Sequence, residues 1–96
     1  MIALVVKVKA KTGELAGLRE AAVRMSRAVT MNEPGNALFA VGDGPDEDTI
    51  IIMERYRDEQ AMEDHRGMPH FKEVGREMGR FMDGKPEVLY RFVEHQ

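Results

Sequence analysis

The chain alternates between segments with the two-residue period of a strand and segments with the longer period of a helix. Residues 2–10 place apolar side chains at every second position, which predicts a first strand. From Glu14 the apolar positions recur at steps of three and four, which predicts an amphipathic helix of about four turns. Pro34 ends this helix, because proline disfavours helical geometry at the residue before it.

The rest of the chain carries two further strand patterns, a helical region in two pieces and a last strand pattern. Asp58 is placed to cap the first helical piece, and Pro69 begins the second. In the last segment, Val88, Tyr90 and Phe92 alternate with their neighbours. The predicted elements are strands at 37–41 and 49–56, helical pieces at 59–67 and 69–82, and a strand at 86–94.

This order predicts an α+β fold of the ferredoxin-like split βαβ type, β-α-β-β-α-β, with a four-stranded antiparallel sheet. We expect one domain over residues 1–96. The helices of such a fold cover one face of the sheet, yet the first and third strands are apolar on both faces for much of their length. The uncovered face therefore predicts a homodimer in which two sheets approach a barrel.

Composition narrows the classes of function. A domain of 96 residues buries only about 60–65% of the surface of its unfolded chain, so a cavity competes with its core. There is no cysteine, which excludes thiolate catalysis and disulfides, and the formal charge of −3 argues against nucleic acid as a partner. No apolar run approaches the roughly 20 residues that span a membrane, and we expect a cytoplasmic protein.

The stretch from Glu54 to Phe71 resembles the antibiotic biosynthesis monooxygenase (ABM) domain family. Met68 departs from the family pattern, where serine or threonine is usual. The turns at 33–35 and 83–86 also agree with the family. The resemblance implies a ferredoxin-like subunit in a dimeric α+β barrel. The matching positions are Glu54, Tyr56, Asp58, Ala61, His65, His70 and Phe71.

Three branches of that family differ in their site residues. The haem-degrading branch has asparagine, tryptophan and histidine where this chain has Val6, His65 and Gly75, so the resemblance does not imply haem chemistry. In the anthrone-oxidising branch, other residues form the site at the positions of Ile52, Tyr56 and Met62. Only the aromatic character of Tyr56 is kept in this chain. The quinol monooxygenase-like branch keeps both histidines and is the most similar. It implies no cofactor.

Strand alternation places Glu54 and Tyr56 on the face that we expect to look toward the helices. Oxygenation of a phenol without a cofactor needs a base, a dry apolar site and room for oxygen. Imidazole changes its charge near neutral pH, so we expect His65 to be the base and His70 to orient it or to contact the substrate oxygen. The expected substrate-binding residues are Glu54, Tyr56, Ile52, Met62, Phe71, Phe39 and Met78.

The resemblance, together with these residues, implies a cofactor-independent monooxygenase that oxidises a quinol, a phenol or a polyketide-like aromatic with O2. Two alternatives stay open. One is a dimer that binds a ligand without chemistry. The other is an isomerase of a small sugar-phosphate-like molecule, in which the two histidines move a proton without oxygen.

Two other interpretations of these residues concern an ion pair of Glu54 and a metal site at the histidines. A carboxylate among apolar neighbours pairs with a cation or takes up a proton, and for Glu54 we expect pairing with Arg55, Arg57 or Arg91. A metal site would join the two histidines with Asp64 or Glu63. Their five-residue spacing across Pro69 matches no standard helical pair of ligands, so we expect no metal.

Overall fold

Seven elements follow one another in the order that the sequence predicts. A computed structural model describes residues 1–95. The second helical region is divided at Met68, which has extended backbone geometry. The elements are β1 (Ile2–Lys9), α1 (Leu15–Asn32), β2 (Asn36–Asp43), β3 (Thr49–Tyr56), α2 (Glu59–Gly67), α3 (Pro69–Gly79) and β4 (Glu87–Val93).

The four strands form one antiparallel sheet in the order β2-β3-β1-β4, and this is the ferredoxin-like arrangement. The central strand β1 pairs with β3 from Ile2 opposite Tyr56 to Lys9 opposite Thr49. Alternate side chains of both strands are buried beneath the helices, as the strand period predicts. Ile50 and Val8 are almost fully buried and form the centre of the core with Leu18 of α1.

A β-bulge changes the predicted alternation in β4. Val5 lies opposite Tyr90 and Val6 lies opposite Val88, so Leu89 is the extra residue of the bulge. Val88 therefore faces the helices, whereas Tyr90 lies on the other face of the sheet. The prediction that Val88, Tyr90 and Phe92 share one face is wrong for this reason.

The helix α3 ends at Gly79 and does not reach Met82 as predicted. After Gly79 the chain pairs with the end of β1, because the Lys11 N–H donates to the carbonyl of Phe81 at 2.9 Å. Met82 forms an isolated bridge with Ala10. Backbone pairing with β1 thus replaces the last helical turn, while Phe81 and Met82 still pack against the core.

The sheet face opposite the helices carries large exposed apolar side chains. Met53, Tyr90 and Phe92 are 48%, 67% and 48% exposed. Register places Tyr90 and Phe92 opposite Val5 and Ala3, so the apolar surface continues from β4 onto β1. Among residues 1–95, none of the helices is both long and apolar enough to cross a bilayer.

Candidate active site

A cavity of about 500 Å³ lies between the sheet and the helices α2 and α3. Its floor comes from β1 and β3, and its far wall comes from Pro86 and Val88 at the start of β4. The lining is predominantly apolar. Its deep polar residues are Glu54 and His65, and Arg66, Lys72 and Arg76 contribute exposed cations.

The structure divides the predicted site residues into two groups. One group lines the cavity. The other group is Tyr56 and His70, which lie behind the lining. Tyr56 contacts the lining residue Glu54, and His70 contacts Glu33. The predicted residues in the cavity wall are His65, Glu54, Ile52, Met62, Phe71, Phe39 and Met78.

His65 is held in one orientation from the side away from the cavity. The ring lies on α2, whose first turn is capped as predicted by Asp58, which accepts the Ala61 N–H at 2.8 Å. Nδ1 of His65 lies 2.8 Å and 3.0 Å from the two carboxylate oxygens of Glu33. An ionised carboxylate only accepts hydrogen bonds, so this contact places the proton on Nδ1 and leaves Nε2 free to accept one.

Glu33 is the functional residue that the sequence prediction missed. It follows α1, where its N–H donates to the Val29 carbonyl, and its side chain is buried. The loop approaches α2 closely because Gly35 has no side chain: a Cβ there would lie 2.6 Å from the Cβ of Ala61. The sequence predicts a turn at 33–35. The signal for a second role of Glu33 was that its carboxylate lies beside a helix end with no cation at helical spacing.

His70 is the second histidine that contacts Glu33. It lies in the first turn of α3, and its Nε2 donates to Oε2 of Glu33. The two imidazole rings have centroids 6.4 Å apart, and Phe71 packs edge-on against His65 at 4.9 Å. His70 and His65 thus contact the same carboxylate oxygen of Glu33.

Glu54 pairs with a tyrosine and not with the cations that the sequence suggested. The Tyr56 hydroxyl donates to Oε1 of Glu54 at 2.6 Å. Burial raises the pKa of Glu54, and the hydrogen bond from Tyr56 opposes this shift only in part. Burial and the neighbouring Glu54 charge also raise the pKa of Tyr56, so its hydroxyl keeps its proton at physiological pH.

The predicted cations are engaged elsewhere, and the prediction that one of them pairs with Glu54 is wrong. Each of these arginines forms an ion pair with a carboxylate other than Glu54. The pairs are Arg55 with Glu94, Arg57 with Asp58, and Arg91 with Glu59.

Glu33, His65 and His70 also form the one cluster of metal-ligating type found within residues 1–95. Their ligand atoms lie within 4.8 Å of one another. The predicted carboxylates for such a site, Asp64 and Glu63, are exposed, and Asp64 accepts from Gln60. Glu33 is therefore the hydrogen-bond partner of one ring nitrogen of each histidine.

Comparisons with known proteins show the family and the fold of the chain. The family model described as antibiotic biosynthesis monooxygenase matches residues 1–77. The search of curated proteins gave no match. Solved structures with the same fold are numerous, and three of them are described next.

A candidate antibiotic biosynthesis monooxygenase from Caulobacter crescentus CB15 is similar, with a TM-score of 0.91 and 24% identity over 99% of this chain and 90% of that one. A protein from Mycobacterium tuberculosis has a TM-score of 0.84 and 21% identity over 99% and 95% of the two chains. A Nitrosomonas europaea protein, named like the first, has a TM-score of 0.83 and 20% identity over 98% of each chain. These likenesses show the shared fold, and with the family match over residues 1–77 the chain belongs to the antibiotic biosynthesis monooxygenase family.

Proposed function

We propose that the protein is a cofactor-independent monooxygenase that oxidises a quinol, a phenol or a polyketide-like aromatic with O2. The observation that carries the proposal is His65. It lies in the wall of an apolar cavity while its Nδ1 is fixed by the buried Glu33. A carboxylate that holds one ring nitrogen leaves the other nitrogen as a base toward the substrate.

The chemistry begins with the O–H proton of the substrate. Nε2 of His65 takes this proton, and the resulting phenolate carries electron density on its ring carbons. A ring carbon then bonds to O2, and His65 returns the proton to give a hydroperoxide. Loss of the ring hydrogen and cleavage of the O–O bond release water and leave a carbonyl, so one oxygen atom enters the product and the other leaves as water.

The cavity suits this reaction because its deep part is apolar. Val6, Phe39, Ile52 and Met78 are buried and line it beside His65. In the absence of water, a phenolate keeps its electron density available on the ring. The cavity also has room for O2 beside the ring. A volume of about 500 Å³ lies within the ordinary range of sites for small aromatic molecules.

Glu54 and Tyr56 have separate tasks in this proposal. Glu54 reaches the cavity and binds a substrate hydroxyl, and Tyr56 holds the Glu54 carboxylate through the 2.6 Å hydrogen bond. His70 acts through Glu33 and is therefore a positioning residue. In this account His65 is the base and His70 does not contact the substrate.

We also propose that the protein is a homodimer that joins through the open sheet face. The support is the exposed apolar surface of Met53, Tyr90 and Phe92, which is rare on a sheet that faces water. Packing two such faces buries the apolar side chains and leaves the helix side of each sheet free for its own cavity.

Oxygen uptake with a panel of quinols and phenols tests the function. We expect uptake with at least one member of the panel. Under 18O2 the product should gain one labelled atom and the released water the other. Conversion without oxygen uptake would contradict the proposal in favour of isomerisation, and absence of both uptake and conversion across the panel would contradict catalysis on such compounds.

A further inference from the structure

The mouth of the cavity carries a group of three cations: Arg66, Lys72 and Arg76. All three line the cavity and are exposed. Arg66 is near the end of α2, and the other two lie one turn apart on α3. The remaining polar lining residues, Glu54 and His65, are buried. The cavity therefore has an apolar interior and a cationic entrance.

These cations have no carboxylate partner of their own. Within residues 1–95, none of the three forms an ion pair, whereas the nearby Glu77 of α3 is bound by Arg24 of α1. Lys72 and Arg76 also have like charges at a spacing that brings their side chains together on the helix surface. This arrangement costs the helix stability, and an anion between them would reverse the cost.

The sign of the charge at the entrance is opposite to that of the chain. The protein has a formal charge of −3, yet the cavity lining has three cations against one carboxylate, Glu54. Burial raises the pKa of that carboxylate. The nearby Arg66 charge opposes this shift. A ligand that enters therefore meets a positive field at the mouth and an apolar surface beyond.

We infer that the ligand of this cavity is an aromatic anion: a ring system that fills the apolar interior, with a carboxylate, sulfonate or phosphate held by Arg66, Lys72 and Arg76. Guanidinium groups bind such groups through paired hydrogen bonds, and the ammonium of Lys72 adds a point charge. The inference rests on the proposed function only in taking this cavity as the substrate site, and it names the class of substrate.

Two fluorescent probes test the inference without any turnover. 8-Anilinonaphthalene-1-sulfonate and N-phenyl-1-naphthylamine share one aromatic skeleton and differ by the sulfonate. We expect the wild-type protein to bind the sulfonate about tenfold more tightly, a difference that corresponds to about 1.4 kcal/mol. Added NaCl should weaken binding of the sulfonate and leave the neutral probe unchanged.

A triple variant, Arg66→Gln/Lys72→Gln/Arg76→Gln, should remove the preference and keep the affinity for the neutral probe. The matched control, Lys9→Gln/Arg19→Gln/Arg27→Gln, makes the same change in net charge at residues outside the cavity lining and should keep the preference. The variant Arg66→Lys/Arg76→Lys keeps the charges and should keep most of it, which separates loss of charge from loss of fold.

Equal affinity of the wild-type protein for both probes would overturn the inference, and so would an equal loss of preference in both triple variants. A protein that shows the preference but takes up no oxygen with any quinol would keep this inference while the proposed function fails. Oxygen uptake by a protein without the preference would have the opposite meaning.

Discussion

Glu33 is the residue on which the candidate site depends. Its carboxylate accepts from both histidines, and it is buried between a helix end and two further helices. The family resemblance pointed to the two histidines, because they lie close together in one matching stretch of the sequence. It did not predict Glu33, because the carboxylate is more than thirty residues away from His65 and meets it only where the loop after α1 approaches α2.

The first prediction concerns this carboxylate. In Glu33→Gln one side-chain oxygen is kept and the other becomes an amide N–H group. Because Nδ1 of His65 contacts both oxygens of Glu33, the N–H group competes for that nitrogen, and the proton of His65 is no longer fixed on Nδ1. We expect kcat to fall about ten- to a hundredfold, less than the full contribution of a general base, with KM little changed. The exposed Glu63→Gln is the control and should keep the wild-type rate. An unaltered kcat in Glu33→Gln would contradict the role of Glu33.

The second prediction concerns the stability of the fold and Glu54. Burial raises the pKa of this carboxyl, so the folded state holds its proton more tightly than the unfolded state. The stability that this provides is complete when the pH is below the pKa of a glutamate in the unfolded chain, about 4.3. It is lost as the pH rises through the pKa of Glu54 in the folded protein. Above that range an ionised carboxylate remains buried at a cost.

Glu54→Gln should therefore melt a few degrees higher than the wild type at pH 8 and show little difference near pH 4. Glutamine still accepts the Tyr56 hydroxyl, so the hydrogen bond is retained. Thermal melts of both proteins across this pH range measure the difference. A stabilisation that grows as the pH falls would contradict the assignment.

At the scale of elements, the strand and helix patterns predicted the order of the fold and failed where backbone pairing overrides side-chain period. The α3 pattern continues to Met82, but hydrogen bonds with β1 end the helix at Gly79. The β4 pattern alternates, but its bulge turns Val88 to the cavity and Tyr90 to the open face. Neither event has a local signal, since each depends on the register with a distant strand.

The third prediction concerns the start of α2, the helix that carries His65. The Asp58 carboxylate accepts the Ala61 N–H, and this hydrogen bond lowers the pKa of Asp58. Asp58→Ala should lower the melting temperature by a few degrees, and Asp58→Asn, which can still cap, should recover most of the loss. Because folding lowers the pKa of Asp58, the loss of melting temperature in Asp58→Ala should be present at neutral pH. It should disappear as the pH falls and the Asp58 carboxylate takes up a proton. An equal loss in both variants would contradict capping.

At the scale of the whole molecule, the sheet separates two surfaces with different tasks. The helix side encloses the cavity, and the open side has exposed apolar residues. This separation of surfaces bears on how so small a domain holds both a core and a cavity. A chain of 96 residues has room for a cavity when the apolar side chains of its other sheet face are buried by a second copy. The apolar open face was predicted from β1 and β3, whereas the share of β4 in it follows from its register with β1, and the bulge removes Val88 from that face.

The fourth prediction concerns that open face. Phe92→Glu places a charge where the proposed dimer buries an aromatic ring, so the dimer should dissociate and the mass measured by light scattering should fall to about half. Met31→Glu is the control, because Met31 is 83% exposed on α1, on the other side of the sheet. It should keep the dimer. A wild-type protein that is monomeric, or a Phe92→Glu variant with the mass of the wild type, would contradict the proposed interface.

The central claim is that His65, fixed by Glu33, is the base of an oxygen-dependent reaction. The most direct measurement is the rate of oxygen uptake by the wild type and by His65→Ala, with the best quinol or phenol of the panel and with the fold of the variant checked by circular dichroism. We expect a fall of about 10²- to 10⁴-fold, the usual contribution of a positioned general base. A rate in His65→Ala equal to that of the wild type would contradict it.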